Sequence, residues 1–438
     1  MRRSRGKDQE MRFKNNSVAA SFAIITGILL AYIMEMCPSP FLQEIERSFE
    51  LGGNDALLNL SVSVIFPAII VSSILGGRFE ERLGTYGLYI ATLVLVTAGL
   101  LLNLIAWNYA LFLAGRIVFG FGFGLGIPFI GSAIMKWYPE NSRDSMNTLN
   151  ALFPFIGTLI SYAVMNPLIS LFGKWHPAMA VWGVGTLIIL AFWMLCISPD
   201  RIREYPPSDS EVRQEETGTG LYAGLIKRRE IRGLSIIFMC DFFCYSFISV
   251  VIPTLAWELG AGELSESAAS ALAALAFPAF GLVGCFLGGL WSQRSGRRKP
   301  VLLCGQIFKF FGVLAAVLLA RVSVYASMAG FALFGIGNGM WMPVMYCIPM
   351  DLKGMDPAKT GAAFALMSAC GFVCGFISPT VGGWLTDFFS ARPAAADFVS
   401  ARSYGMIMSL LIFDAVNLIS VWCAMRMRET GRTVSQET

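Results

Sequence analysis

The sequence predicts an all-α membrane protein of about twelve transmembrane helices in two pseudo-symmetric six-helix bundles. Three observations predict it: an excess of apolar residues, apolar runs of membrane-crossing length along nearly the whole chain, and an internal repeat. The 438 residues are 55% hydrophobic and 14% charged, with a mean hydropathy of +0.63. A water-soluble globule of this length cannot hide so much apolar surface, so a bilayer must cover part of it.

Crossing ~30 Å of hydrocarbon takes ~20 apolar residues. Runs of that kind, bounded by Gly, Pro or charge, lie at 17–40, 56–77, 86–107, 109–136, 147–170 and 178–197 in the first half. The second half has them at 232–256, 266–291, 300–320, 324–348, 361–386 and 403–426. The expected domains are therefore a tail at 1–16, a bundle at 17–197, a linker at 198–231, a bundle at 232–427 and a tail at 428–438. The linker stands apart because its Pro, Ser, Glu and Gly content suits a mobile connection.

Lys and Arg placement gives the orientation, since basic loops stay on the cytoplasmic side. Placing both termini there puts 26 of the 33 Lys and Arg on that side, five outside (Arg47, Lys174, Arg321, Arg392, Arg402) and two within spans. The basic start MRRSRGKDQEMRFKNN precedes an apolar run too long for a secretory leader and without a small-residue cleavage site, so it reads as a cytoplasmic tail. All ten cysteines lie in or near the runs, which excludes an extracellular disulfide framework. Cys240 with Cys244 and Cys370 with Cys374 have i, i+4 spacing, but no His or Met partner stands beside them; they read as packing groups and no metal is expected. The one histidine, His176, falls in a short outer loop, which excludes imidazole chemistry within the membrane.

The repeat shows in three places. Phe66, Pro67 and Ala68 answer Phe277, Pro278 and Ala279 at an offset of 211. GGRFEERLG at 76–84 answers GGLWSQRSG at 288–296, at 212, and GFGFGLGIP at 120–128 answers GIGNGMWMP at 335–343, at 215. An offset this steady over half the chain means two six-span units with one helix order.

The short loops after the second and eighth runs resemble the signature G-x-x-x-D-R-x-G-R-R of the major facilitator superfamily of secondary transporters. The first copy is Gly77, Glu81, Arg82 and Gly84; the second is Gly289, Gln293, Arg294, Gly296 and Arg297. Arg116, Gly120 and Gly122 resemble the same family's fourth-helix pattern. The glycines of the loops would let helices approach closely, and Arg82 and Arg294 would either meet carboxylates as a gate latch or serve as positive-inside anchors. The glycine run at 120–126 has no preceding strand, so it reads as a helix contact and not a phosphate cradle.

A charge near the bilayer centre costs ~2.5–3.5 kcal/mol on insertion scales, so each needs a partner or a function. Glu35, Arg116, Asp241, Lys309 and Asp414 are the five such residues. In the resembled fold the first, fourth, seventh and tenth helices line a central cavity, while the third, sixth, ninth and twelfth support it. On that basis Lys309 and Asp414 are expected to form a structural ion pair. Asp241 is expected to carry a proton, Arg116 to contact an anionic substrate group, and Glu35 to tune the outer gate, with a static Asp241–Arg116 bridge as the alternative. Tyr32, Tyr245, Asn338 and Trp341 are expected to line the cavity. Pro38 and Pro40, with Pro253 at an offset of 213 from Pro40, are expected to bend the outer ends.

The resemblance implies a secondary active transporter of a small organic solute by alternating access, coupled to protons. The buried Arg116 favours a small organic anion; the alternative is proton-driven drug or cation efflux, of whose fifth-helix pattern only Pro154 and Gly157 are present. An enzyme is not expected, because no nucleophile, base and metal cluster is on offer. The expected setting is the inner (plasma) membrane lipid bilayer, as a monomer, with no cofactor and no nucleic-acid partner.

Overall fold

The computed structural model describes residues 2–138, 140–198, 202, 219–260, 262–355 and 357–430. Among them there is no strand, and twelve helices are long and apolar enough to cross a membrane. Spans one to six are Val18–Phe49, Asp55–Gly76, Arg78–Leu104, Tyr109–Ile127, Asn150–Phe172 and Trp175–Cys196. Spans seven to twelve are Arg229–Leu259, Glu266–Ser295, Lys299–Leu319, Val324–Pro349, Leu366–Ser390 and Ala401–Arg426. Each overlaps its expected run. Short polar residues begin several of them: Asn108, Ser265, Ser323 and Ser400 accept backbone N–H groups of the first helical turn, the bonds a helix cannot make for itself.

Residues 199–201 and 203–218 of the expected linker and 431–438 of the C-terminal tail lie outside the described residues. The end of that linker is not extended: Thr219–Lys227 is a helix whose Leu225 packs on Ile231 and Ala363.

The chain forms two compact units that do not coincide with its sequence halves. One comprises residues 1–35, 64–157 and 169–209; the other comprises 36–63, 158–168 and 210–438. Two pieces of the first half thus belong to the second unit, and hydrogen bonds account for it. Within that unit Ser39 Oγ donates to the carbonyls of Ser249 and Val250 at 2.8 Å. Asn59 Nδ2 donates to Pro379 O at 3.0 Å, and Asn166 Nδ2 donates to Pro40 O at 3.1 Å and Ser270 Oγ at 2.8 Å.

The repeated glycine runs are contact seams, as their composition suggests. In the first unit a Cβ on Gly120 would stand 2.7 Å from Ile65 O; in the second, one on Gly337 would stand 2.6 Å from Gly305 O. Only a bare backbone fits there. The loop signature differs in detail: Gly289 has open space around it, and its neighbour Gly288 makes the close approach, to Met340. The role of Gly77 in such a contact lies outside the described residues.

Gly84 and Gly296 are needed for another reason. Gly84, at φ 68° and ψ 168°, breaks the helical path of Ile65–Leu104 near the start of span three, and Gly296, at φ 63° and ψ 4°, closes span eight in the left-handed region. Extended backbone at positive φ is open to glycine almost alone, whereas Asn tolerates the left-handed region. Gly84→Asn should therefore cost ~1–3 kcal/mol, and Gly296→Asn well under ~1 kcal/mol. Thermal denaturation of the two variants in detergent checks this; equal losses would refute it.

Candidate functional site

Span one stops being helical at Glu35, and the cause is local. Met34 O would normally accept from the N–H of residue 38, which is Pro38 and has none. Glu35 O would accept from Ser39 N, which instead bonds Met36 O at 3.1 Å. Arg116, fully buried on span four, supplies both missing donors, from Nη1 to Met34 O and from Nη2 to Glu35 O, each at 2.7 Å. A cation at a helix C-terminus is also favoured by the helix dipole. The guanidinium lies 5.2 Å from the Phe119 ring, and the buried Glu35 carboxylate is within its electrostatic reach. Arg116 thus caps a broken helix.

The same omission recurs in the second unit with a different outcome. Pro253 sits inside the helix Arg229–Leu259, which continues through it. The carbonyl freed four residues back is Ser249 O, taken up by Ser39 Oγ and by the hydroxyl of the fully buried Tyr162. The expected matched bends are therefore one broken span and one unbroken span with captured carbonyls. Tyr162, Ser39 and Asn166 carry no motif of their own; the spacing of Pro253 from the carbonyl it frees is the one signal in the sequence that points to them.

The charges of spans seven, nine and twelve correct the expected ion pair. Lys309 Nζ, fully buried, bonds Asp241 Oδ1 and also donates to Gln306 Oε1 at 3.2 Å. Asp414 Oδ1 instead accepts from Asn417 Nδ2 at 3.0 Å, one helical turn along its own span. Lys309 thus pairs across to span seven and not with Asp414. Asn338 and Trp341 are fully buried, joined by a 3.4 Å hydrogen bond, with Lys309 Nζ 5.6 Å from the Trp341 ring. They pack around this network. Tyr245 is buried between Phe242 and Phe277, and Tyr32 is partly exposed with its ring edge on Phe123 at 5.0 Å.

In the loop signature Glu81, Arg82, Gln293, Arg294 and Arg297 are all exposed. The ion pairs fall one to four residues away. Lys136, in the last turn of the helix Tyr109–Trp137 that carries span four, meets Glu80 at 2.8 Å, joined by Thr85 Oγ1, which donates to Glu80 at 2.8 Å. Arg298 meets Asp351 at 2.8 Å and donates to Ser292 Oγ at 2.6 Å. The repeat offsets of 212 and 215 carry Glu80 onto Ser292 and Lys136 onto Asp351, so both loops are tied to the following even-numbered span with the charges exchanged. Such a reversal is invisible to a search for identical residues.

The sequence pattern of the Major Facilitator Superfamily matches residues 24–285 and 234–423. The chain belongs to that superfamily. This transporter is 25% identical to H(+)/hexose cotransporter 1 of Parachlorella kessleri over 85% of its own length and 73% of the relative's. It is 23% identical to Sugar transport protein 6 of Arabidopsis thaliana, with the same shares covered. Its fold is similar to that of a bacterial homologue of the human lysosomal transporter Spinster, inward-facing and unoccupied, with TM-score 0.73 and 14% identity over 94% of this chain and 96% of that one. A D-xylose-proton symporter gives TM-score 0.72 and 15% identity over 94% and 97%. The transporter moves a small solute across a membrane, as members of this superfamily and its named relatives do.

Proposed function

We propose that this transporter is a proton-coupled symporter of a small polar organic solute, with Glu35 as the coupling carboxylate and Arg116 as the cation that controls its charge. The observation that carries this is a buried acid at the break of span one, beside a guanidinium whose recorded bonds go to the carbonyls of that break. Protonation of Glu35 would cancel its attraction to Arg116 and leave that end of the helix held by the two carbonyl bonds alone, which loosens it. Asp241 is a weaker candidate for this role, because Lys309 already neutralises it by direct contact.

The relatives named as hexose and sugar transporters support an uncharged polyhydroxylated substrate. A small organic anion is the second reading, favoured by the burial of Arg116, but it requires those guanidinium donors to leave Met34 and Glu35. The Lys and Arg asymmetry supports a plasma-membrane setting with both termini cytoplasmic.

The test uses purified protein in proteoliposomes with an imposed pH gradient and labelled pentoses, hexoses and small carboxylates. Wild type is expected to accumulate one sugar class. Glu35→Gln should lose accumulation while keeping gradient-free exchange of the same solute within a few-fold. Uphill uptake by E35Q would overturn the assignment, and accumulation of carboxylates alone would replace sugar by anion. Thermal stability gives a second reading: a solute at 100 times its Kd adds ~2.7 kcal/mol to the folded state.

A further inference from the structure

Asp241, Lys309 and Asp414 are each no more than 1% exposed, and they place two carboxylates beside one cation inside the second unit. Lys309 is in contact with Asp241. Asp414 is within its electrostatic reach but bonded elsewhere. With both acids ionised the cluster would hold one uncompensated negative charge in the membrane interior, which is costly.

The hydrogen bonds point to where that charge is cancelled. Asp414 Oδ1 accepts from Asn417 Nδ2, while Asp414 Oδ2 and Asn417 Oδ1 are both buried without a partner. An ionised carboxylate can only accept, so it cannot serve the amide oxygen. A protonated one can: its O–H donates to the amide oxygen while the amide N–H donates to its carbonyl, a cyclic acid–amide pair. One proton therefore satisfies two orphaned atoms and removes the surplus charge.

We infer that Asp414 is a second proton-binding site, separate from Glu35, in which Asn417 holds the proton-bearing acid and Lys309 is shared between Asp414 and Asp241. The groups facing it are Lys309 on span nine and Cys244 on span seven; behind Lys309 stand Asp241 and Cys240, and Cys240 in turn faces Cys374 on span eleven and Cys423 on span twelve. Asp387, on the packed span eleven, is instead bonded near the outer end to the backbone of Asp55. The Cys244 thiol is committed to Phe413 O at 3.0 Å. Lys309 is the cation among these groups, so neutralising Asp241 frees it for Asp414. The inference does not rest on the role proposed for Glu35.

Infrared difference spectroscopy of the full chain in liposomes, across a pH titration, tests it through the protonated-carboxyl stretch. Wild type should show such a band at neutral pH that Asp414→Asn removes and Glu35→Gln does not. Asp241→Asn should remove the same band although Asp414 is still present, because Lys309 then ionises it. Asn417→Ala, which keeps the acid, should shift the band to the frequency of an unbonded acid and covers the case in which D414N fails to fold. A band unchanged in D414N, one retained in D241N, or one unmoved in N417A would each overturn the assignment. None of these readouts requires transport.

Discussion

Lys309→Gln is expected to cost ~3–5 kcal/mol of stability, because it leaves the buried Asp241 carboxylate without the cation it contacts. The loss should be largest at alkaline pH. As pH falls the stranded acid takes up a proton and its charge disappears, so the variant recovers toward wild type while wild type changes little. Adding Asp241→Asn should restore most of the stability, leaving K309Q/D241N within ~1–2 kcal/mol of wild type. Denaturation midpoints of the single and double variants across pH measure this. A double variant as weak as the sum of the singles would mean that the two side chains stabilise independently, and the pairing would be wrong.

Arg402→Gln is expected to have the next largest effect. Arg402 Nε bonds both Asp55 oxygens, at 3.0 and 3.2 Å, and an Nη nitrogen reaches Asp55 as well. Its other Nη lies 3.6 Å from Glu46 and 3.9 Å from Glu258. One guanidinium thus faces three carboxylates, two from the segment 36–63 and one from the end of span seven, all in the second unit. Its removal leaves mutual repulsion and a buried Asp55, worth ~2–4 kcal/mol after discounting for the partly exposed Glu46. The same segment contains Cys37, fully buried with its sulfur 3.4 Å from that of Met165. In a background where Cys37 is the one remaining cysteine, R402Q should react with a thiol reagent at least about tenfold faster, the ratio expected from ~1.4 kcal/mol of easier local opening. An unchanged labelling rate would show that this cluster does not hold the segment down.

Much of the fold was legible in the residues. Run length and hydropathy located twelve spans because a helix in lipid must satisfy its backbone internally, which makes span length a property of the bilayer and not of packing. The glycine runs at 120–126 and 335–339 were correctly read as close helix contacts. Gly84 and Gly296 could also be anticipated, since positive φ leaves its mark as glycine.

Partner choice was different. Asp414 stood as near to a cation by depth as Asp241 did, yet Asn417 lies one turn away on its own helix while Lys309 points across to span seven. Arg116 was expected to contact a substrate because of its place on the fourth helix; that the missing N–H of Pro38 leaves a carbonyl for it to cap shows only in the structure. The sequence by itself determined the number of spans, their duplication and the identity of the buried charges, because hydrophobic length and composition are properties of single segments. Which charge meets which, and that residues 36–63 belong with the second unit, was decided only by the tertiary structure, because hydrogen bonds act over ~3 Å between side chains whose directions depend on how every span is rotated.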